Sequence, residues 1–492
     1  MHWRRASGRG LLLPAVCGAR DCGATRGAVN WRLIAGDLRA GALDELDDES
    51  FDAVLCDPPY GLSPDGRART WDDLEGDGGR GFMGKAWDAA VPGATFWRTV
   101  LRVLRPGAHV VAFGGTRTYH RLACAVEDAG FEVRDMLSWL YGSGFPKSHD
   151  VSKAIDAAAG AEREVVSPPT KGGFGRGNAY GDITRPAHTA PATPEAARWS
   201  GYGTALKPAH EPAVLARKPL AGTVAANALE HGCGALAIDE SRIAYASDAD
   251  RAAMSAGVEA IRAKGGQWEH SWANTCDLSG ANPAHENGRW PANVLLDEAA
   301  AAMLDEQSGE SVSTTHRRGI GMGYGSGSTG NRGVVGPSDS GGASRFFYTA
   351  KASRSEREAG CEGFNRRHVF GANGAGLVGI SNTREPTSNH HPTVKPLALT
   401  TYVARLLLPP PSARPRRLLV PFSGSGSEVI GALLAGWDEV IGIEIDDEYR
   451  RIAEARIAYW VARGAPKPKV TRKAPPAPKR RAAWVQASLF DL

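Results

Sequence analysis

The sequence predicts an α/β protein with a doubly wound, mostly parallel sheet. Its strands come from two separate stretches of chain, with a large irregular segment between them. Three observations lead there. Residues 30 to ~140 alternate short apolar runs with helical stretches, the rhythm of strand, helix and parallel strand. The same alternation resumes after His391. Neither stretch alone holds enough strands for a full sheet, and together they do.

Trp31 to Ala35 is a short strand ending at Gly36-Asp37. Phe51 to Cys56 is an apolar strand that runs straight into Asp57-Pro58-Pro59-Tyr60. A helix from about Phe96 to Leu104 stops at Pro106-Gly107, a turn signal. His109 to Phe113 is a further strand. Thr118 to Ala129 is a helix with Gly130 just past its end, and Phe131 to Leu140 is a strand. From about 160 to 345, Pro, Gly, Ser and Thr dominate and periodicity weakens. Thr314 to Ser344 is the most Gly/Ser-rich part, with Arg317, Arg318, Arg332 and Arg345 in or beside it, and cannot bury enough apolar area to order alone. Ala213 to Ala216 and Trp290 to Leu296 interrupt this region as structured pieces. Leu397 to Leu408 is helical and Arg417 to Val420 is a strand. A glycine-rich loop from Pro421 to Ser427 follows. Glu428 to Ala435 is a helix closed by Gly436, and Glu439 to Ile443 is a strand ending at Glu444. A last helix, about Asp447 to Val461, carries Ile452, Ala455 and Tyr459 on one face.

The chain of 492 residues has room for two or three domains, and its formal net charge is +4. No apolar run approaches the ~20 residues that span a membrane. The 7 cysteines form no Cys-x-x-Cys pair, so neither a zinc site nor a disulfide framework is suggested, and a reducing cytosol fits. His210-Glu211 lacks the second histidine of a metalloprotease helix and reads as a surface pair. Cys56 reads as a small buried strand residue.

Two loops carry chemistry. Phe422-Ser423-Gly424-Ser425-Gly426 lies between a strand and a helix. Its glycines let a ligand approach the backbone, and the helix N-terminus lends polarity. Glu444, 20 residues past Gly424, suits a carboxylate accepting ribose hydroxyls. A dinucleotide site would carry a third glycine where Val429 stands, so a cofactor without pyrophosphate, such as S-adenosylmethionine, fits better; the bland alternative is a tight turn. Asp57-Pro58-Pro59-Tyr60 is more specific. Two prolines stop the strand and fix the backbone at its C-terminal end, where α/β sheets place ligands. An exocyclic base amine is a poor nucleophile because its lone pair is delocalised into the ring. Asp57 and the Pro58 carbonyl can accept its two N–H groups and localise that pair, while Tyr60 stacks on the base. The base must leave the duplex for this. The alternative is a proline-capped strand end with a core tyrosine.

With these residues the sequence resembles the amino-methyltransferases of DNA, in the permuted group whose catalytic tetrapeptide precedes the cofactor loop. The resemblance implies the Rossmann-like sheet of class I methyltransferases, circularly permuted. It implies S-adenosyl-L-methionine bound by Phe422 to Gly426, with Glu444 on the ribose and Asp37, of Gly36-Asp37, near the adenine ring. It also implies that His391-Pro392-Thr393-Val394-Lys395-Pro396 encloses the methionine end, with Thr393 and Lys395 as cofactor-binding residues. Phe113 to Arg117 and Tyr141 to Lys147 look like phage and prophage members. One departure stands out: the family usually has Asp before Pro-Phe, and here Val420 takes that place. Ser423 or Ser425 is the expected substitute for that polar contact, or else cofactor binding is weak.

On this reading residues 1–28 are a disordered extension. Residues 29–165 are the catalytic half and 386–462 the cofactor-binding half of one domain. Residues 166–385 are a target-recognition insert, and 463–492 a basic, Pro-rich tail. Lys207 to Arg217 is a strand that either borders the base pocket or lies at an ordinary sheet edge. Arg317, Arg318, Arg332, Arg366 and Arg367 are candidate phosphate neighbours. The tail, with Lys467, Lys469, Arg472, Lys473, Lys479, Arg480 and Arg481 among prolines, suits non-specific DNA contact. Its end, Gln486 to Phe490, resembles the peptide that bacterial proteins present to the replication sliding clamp; the alternatives are a tail strand or helix docking on its own domain, or no role.

The expectation is therefore an enzyme that methylates N6 of a flipped-out adenine in double-stranded DNA. In the family a leading Asp leans toward adenine, since cytosine-amino members more often begin with Ser. The alternatives are N4-cytosine methylation, an RNA or protein-glutamine methyltransferase, and a DNA-binding remnant without catalysis. A cytoplasmic modification enzyme, bacterial or phage-encoded and of restriction-modification type, is expected, without membrane or metal. The oligomeric state is left open, a dimer included.

Overall fold

A computed structural model describes residues 30–62, 67–74, 88–142, 148–168, 170–172, 183–185, 188–245, 247–248, 250–252, 285, 287–312, 340–350, 354–367 and 387–463. The N-terminal extension, the arginines at 317, 318 and 332 and the C-terminal tail with its clamp-like end lie outside the described residues.

The main sheet holds β1 (Asn30–Ala35), β2 (Phe51–Cys56), β3 (Leu104–Phe113), β4 (Glu132–Leu140), β5 (His210–Arg217), β6 (Val294–Asp297), β7 (Tyr348–Ala350), β8 (Arg417–Val420) and β9 (Glu439–Glu444). Its spatial order is β1-β9-β8-β2-β3-β5-β4-β6-β7. The two late strands β8 and β9 lie between β1 and β2, so the two stretches of chain form one sheet. All neighbours pair in parallel except β5, which runs antiparallel to both β3 and β4. The central stretch is therefore more than an insert: it supplies β5, β6 and β7. The Ala213 strand sits inside the sheet, not at its edge.

Alternate strand residues face opposite sides. Ala53 and Leu55 pack with Val111, Leu418 and Val420 against α4 (Leu397–Leu406) and α5 (Ser427–Ala435). Val54 and Cys56 pack with Val110, Leu419 and Ile441 against α1 (Ala94–Val103) and α2 (Tyr119–Asp128). Helices cover both faces, which is why β2 is buried at every position. Helix α3 (Glu298–Ser308) follows β6 directly, and α6 (Asp447–Arg463) packs on α5. Helix α6 buries Tyr449, Ile452, Ala453, Arg456 and Ile457; Ala455 and Tyr459 are only half-buried.

Helix α1 does end near the expected stop, but Pro106-Gly107 makes no separate turn. The chain enters β3 at Leu104, and a register shift against β2 absorbs the proline. Gly107, at φ +80°, donates its N–H to the Lys218 carbonyl. The two stretches are also tied by Asp52, which is 2% exposed inside the apolar run of β2. It accepts from Arg414 Nη1 (2.6 Å) and from the Arg417 backbone N–H (2.8 Å), with Arg105 Nε at 3.3 Å. Among the described residues no helix is long and apolar enough to cross a membrane.

Candidate active site

The parallel strands β1, β9, β8, β2 and β3 deliver their C-terminal ends to one edge of the sheet. Because β5 is antiparallel, it brings its beginning there: Glu211 lies opposite Trp139, near the end of β4. Gly36-Asp37, Glu444, the glycine loop and the Asp57 tetrapeptide thus come together along one edge, joined by Glu211.

At the end of β2, Pro58 and Pro59 are buried while Asp57 and Tyr60 are half-buried. The tetrapeptide is clamped from behind. Thr118 Oγ1 donates to the Tyr60 carbonyl (2.6 Å). A side chain at Gly115 would stand 3.2 Å from the Tyr60 ring, so glycine lets that loop close on the tyrosine. Gly61, at φ +62°, donates its N–H to Asp88 Oδ1 (3.2 Å).

Both Asp57 oxygens are engaged. Oδ1 accepts from the Tyr60 hydroxyl (2.8 Å) and Oδ2 from Lys395 Nζ (2.6 Å). Lys395 Nζ also stands 3.1 Å from Glu211 Oε2 and 3.0 Å from the Tyr60 oxygen, above the Phe113 ring at 4.9 Å. The Tyr60 hydroxyl reaches Glu211 Oε2 at 3.1 Å. Lys395 is 6% exposed. Burial alone would depress its pKa, but Asp57 and Glu211 outweigh burial and hold it above the ordinary lysine value. Burial, then the charges of Asp57 and Glu211, push the Tyr60 phenol well up, so it stays a donor. Glu428, 4% exposed in the first turn of α5, is pushed upward by burial and by Asp57, against the pull of Lys395.

The glycine loop is held from both sides. Ser423 donates its N–H and its hydroxyl to the Ile443 carbonyl (2.9 and 3.1 Å). The Ser425 hydroxyl and carbonyl, with the Ser427 hydroxyl, accept from buried Arg456 of α6. Gly424, at φ +49°, donates its N–H to Glu444 Oε2 (2.7 Å), whose other oxygen accepts from the Asp446 N–H (2.9 Å). Burial raises Glu444 to about 7. A side chain at Gly424 would stand 2.8 Å from His391 Nε2, so the His391 element folds over the loop. Burial lowers His391 to about 4, which leaves it neutral. Thr393 is exposed, and its carbonyl meets His391 Nδ1. Phe422 is half-buried against Trp71 and Phe96, with ring centroids at 5.8 and 5.3 Å. Asp37 caps the turn at Leu38 through the Arg39 N–H (2.9 Å). Burial would raise Asp37, but its bonds to Arg39 hold it below the usual carboxylate range.

The DNA methylase family (N6_N4_Mtase) matches residues 51–455, a span from β2 into α6 that takes in both loops. The chain belongs to this family. A curated relative, the type II methyltransferase M.HindIII of Haemophilus influenzae, is 26% identical over 223 residues, which is 39% of this chain and 60% of the relative. The chain thus spans about 60% of the length of the curated relative it matches. Among solved structures it is similar to the PvuII DNA methyltransferase (cytosine-N4-specific), with a TM-score of 0.36 and 11% identity, covering 87% of each chain. It is also similar to the M1.HpyAVI–SAM complex, with a TM-score of 0.31 and 12% identity, covering 87% of this chain and 99% of that one.

Two readings of the sequence need correction. His210-Glu211 is not a surface pair: Glu211 lies in the Asp57 cluster because β5 is antiparallel and starts at the site edge. Ser423 and Ser425 do not stand in for an acid at Val420. Their hydroxyls are committed to Ile443 and Arg456, and Val420 is fully buried in the core. Arg366 and Arg367 are both exposed, and Arg367 pairs with Glu448 (3.0 Å). Arg345 is buried and donates to the Gly341 and Gly342 carbonyls (2.6 and 2.9 Å). Lys395 joins the tetrapeptide itself. Sequence reasoning missed Glu211, Glu428 and Arg456. The one available signal was a charge interrupting an otherwise apolar helix face or strand.

Proposed function

We propose that this member of the DNA methylase family transfers a methyl group from S-adenosyl-L-methionine to the exocyclic N6 amino group of adenine in DNA, on a base turned out of the duplex. The observation that carries this reading is that two neighbouring strand ends hold the two loops. β8 ends in the glycine loop, and β2, its hydrogen-bonded neighbour, ends in Asp57-Pro58-Pro59-Tyr60. One end is suited to a methyl donor and the other to an amine.

The cradle fits this cofactor. Glu444 closes β9 with a carboxylate for a ribose, Asp37 lies beside it past β1, and Phe422 offers a half-buried ring. The acids around the loop, Asp37, Glu444 and Glu428, suit a cationic sulfonium better than a pyrophosphate. When bound, S-adenosyl-L-methionine supplies an electrophilic methyl group. His391, seated on Gly424, would close the methionine end together with Thr393. Asp57 and the Pro58 carbonyl would accept the two amino N–H groups and so localise the nitrogen lone pair. Tyr60 presents its ring to the base. The methylated nitrogen is positively charged and sheds its proton to Asp57, the carboxylate that already holds it. Adenine is favoured over cytosine by the leading Asp of the tetrapeptide. Residues 166–385 would hold the target-recognition surface and residues 463–492 a DNA-contacting arm.

The test is incubation with labelled cofactor and duplex DNA, followed by digestion to nucleosides. Label is expected in N6-methyladenine. Label in N4-methylcytosine overturns the base assignment, and label in neither overturns the activity. Asp57→Ala should lower transfer at least about a thousandfold while cofactor affinity stays within about threefold.

A further inference from the structure

In the structure both Asp57 oxygens already accept a hydrogen bond from the protein. Oδ1 carries the Tyr60 hydroxyl at 2.8 Å and Oδ2 carries Lys395 Nζ at 2.6 Å. Each oxygen keeps a lone pair for an incoming amino group, but the ammonium on Oδ2 and the phenol on Oδ1 draw on the same carboxylate charge, so the amine is held more firmly when they move away. Both partners already reach the same alternative acceptor. Glu211 Oε2 stands 3.1 Å from the Tyr60 hydroxyl and 3.1 Å from Lys395 Nζ. Lys395 is buried, so it cannot turn to water when it leaves Asp57. A buried ammonium without a counter-charge is costly.

We propose that Glu211 is a positioning residue of the methyl-transfer site, the acceptor onto which Lys395 and Tyr60 shift so that Asp57 is released to the substrate amine. The inference rests on the methyltransferase reading above. Glu211 does not touch the reacting atoms. It changes how often Asp57 is free to do so. Its place follows from the antiparallel direction of β5, which sets the first residues of that strand against the end of β2, with Lys395 arriving just ahead of α4. A parallel strand in this position would have placed Arg217 there and added a second cation beside Lys395.

Glu211→Gln is nearly isosteric. It keeps one acceptor for the Tyr60 hydroxyl but offers Lys395 no charge, so Lys395 stays on Asp57. The expected result is a fall in kcat of about 30-fold, the worth in rate of one charge-assisted hydrogen bond, with cofactor Kd within about twofold of wild type. The comparison that decides is made in a Lys395→Met background, where Asp57 Oδ2 is free from the start. There Glu211→Gln should cost less than about threefold, because the shift has nothing left to move. Equal losses in both backgrounds, or no loss in the single variant, overturn the proposal. If the Lys395→Met chain shows no cooperative thermal transition, Glu211→Asp replaces it. The shorter carboxylate keeps the charge and should recover most of the kcat that Gln loses; failure to recover overturns the proposal. A wild-type chain that methylates neither base overturns the activity itself, and this inference with it, before any variant is made.

Discussion

Glu444 offers the most direct quantitative test of the cofactor cradle. Its carboxyl is buried at the end of β9, held by the Gly424 and Asp446 N–H groups, and raised by burial from the ordinary carboxylate value of 4.5 to about 7. A ribose diol donates to the ionised form. If only that form binds, the apparent affinity carries a factor of one plus ten to the power of pKa minus pH. Between pH 5.5 and 7.5 this tightens S-adenosyl-L-methionine binding by roughly 25-fold. Glu444→Gln should remove that component. It should also weaken binding at pH 7.5 by roughly 10- to 100-fold, the worth of hydrogen bonds to a charged group. Isothermal titration calorimetry of both chains across this range is the assay. Glu428 titrates in both chains, and His391, at about 4, stays neutral in both. The difference between the two profiles therefore belongs to Glu444. Parallel profiles, or equal affinities at pH 7.5, would refute the reasoning. The same shift acts on the ligand-free chain. A raised folded pKa contributes stability that is complete below about 4.5 and is lost as pH rises through about 7, for a total near 3 kcal/mol. Wild type should therefore lose more stability than the Gln variant as pH rises from 5 to 8.

Three further outcomes are expected. Gly424→Ala meets both a left-handed backbone and the His391 ring, so unfolding by denaturant should show a loss of about 2 kcal/mol; an unchanged midpoint would count against the close approach. Asp52→Ala leaves Arg105 and Arg414 without their shared buried acceptor where β2 meets β8. With both arginines partly solvated, a loss of about 3 kcal/mol is expected, read as a lower melting temperature, and a change under about 0.5 would show that the pairing does not tie the two stretches together. If the C-terminal peptide engages a replication sliding clamp, capture by the clamp is lost when the chain is ended after Trp484, and equal capture with and without Gln486 to Phe490 sinks that reading.

What the sequence determined by itself is local. The apolar run of β2, the stop imposed by Pro58-Pro59, the glycine loop opening α5 and Glu444 closing β9 are each written within a few residues, because strand and helix periods and backbone restrictions act at that range. The order of the two loops along the chain was enough to suggest that two stretches complete one sheet. Which side chains meet at the site was decided only by tertiary structure. Lys395 and Asp57 are 338 residues apart and touch because β8 inserts beside β2. Glu211 read as a surface acid because nothing in its neighbours fixes the direction of β5. Its place beside Tyr60 depends on that strand running antiparallel between β3 and β4. Arg456 is one of several charges in the last helix, and it becomes the buried clasp of the glycine loop only when α6 packs on α5. The physical reason is the same in each case. A charge in a sequence carries no sign of its partner, and burying it is tolerable only where the assembled sheet brings the opposite charge or acceptor within hydrogen-bonding distance.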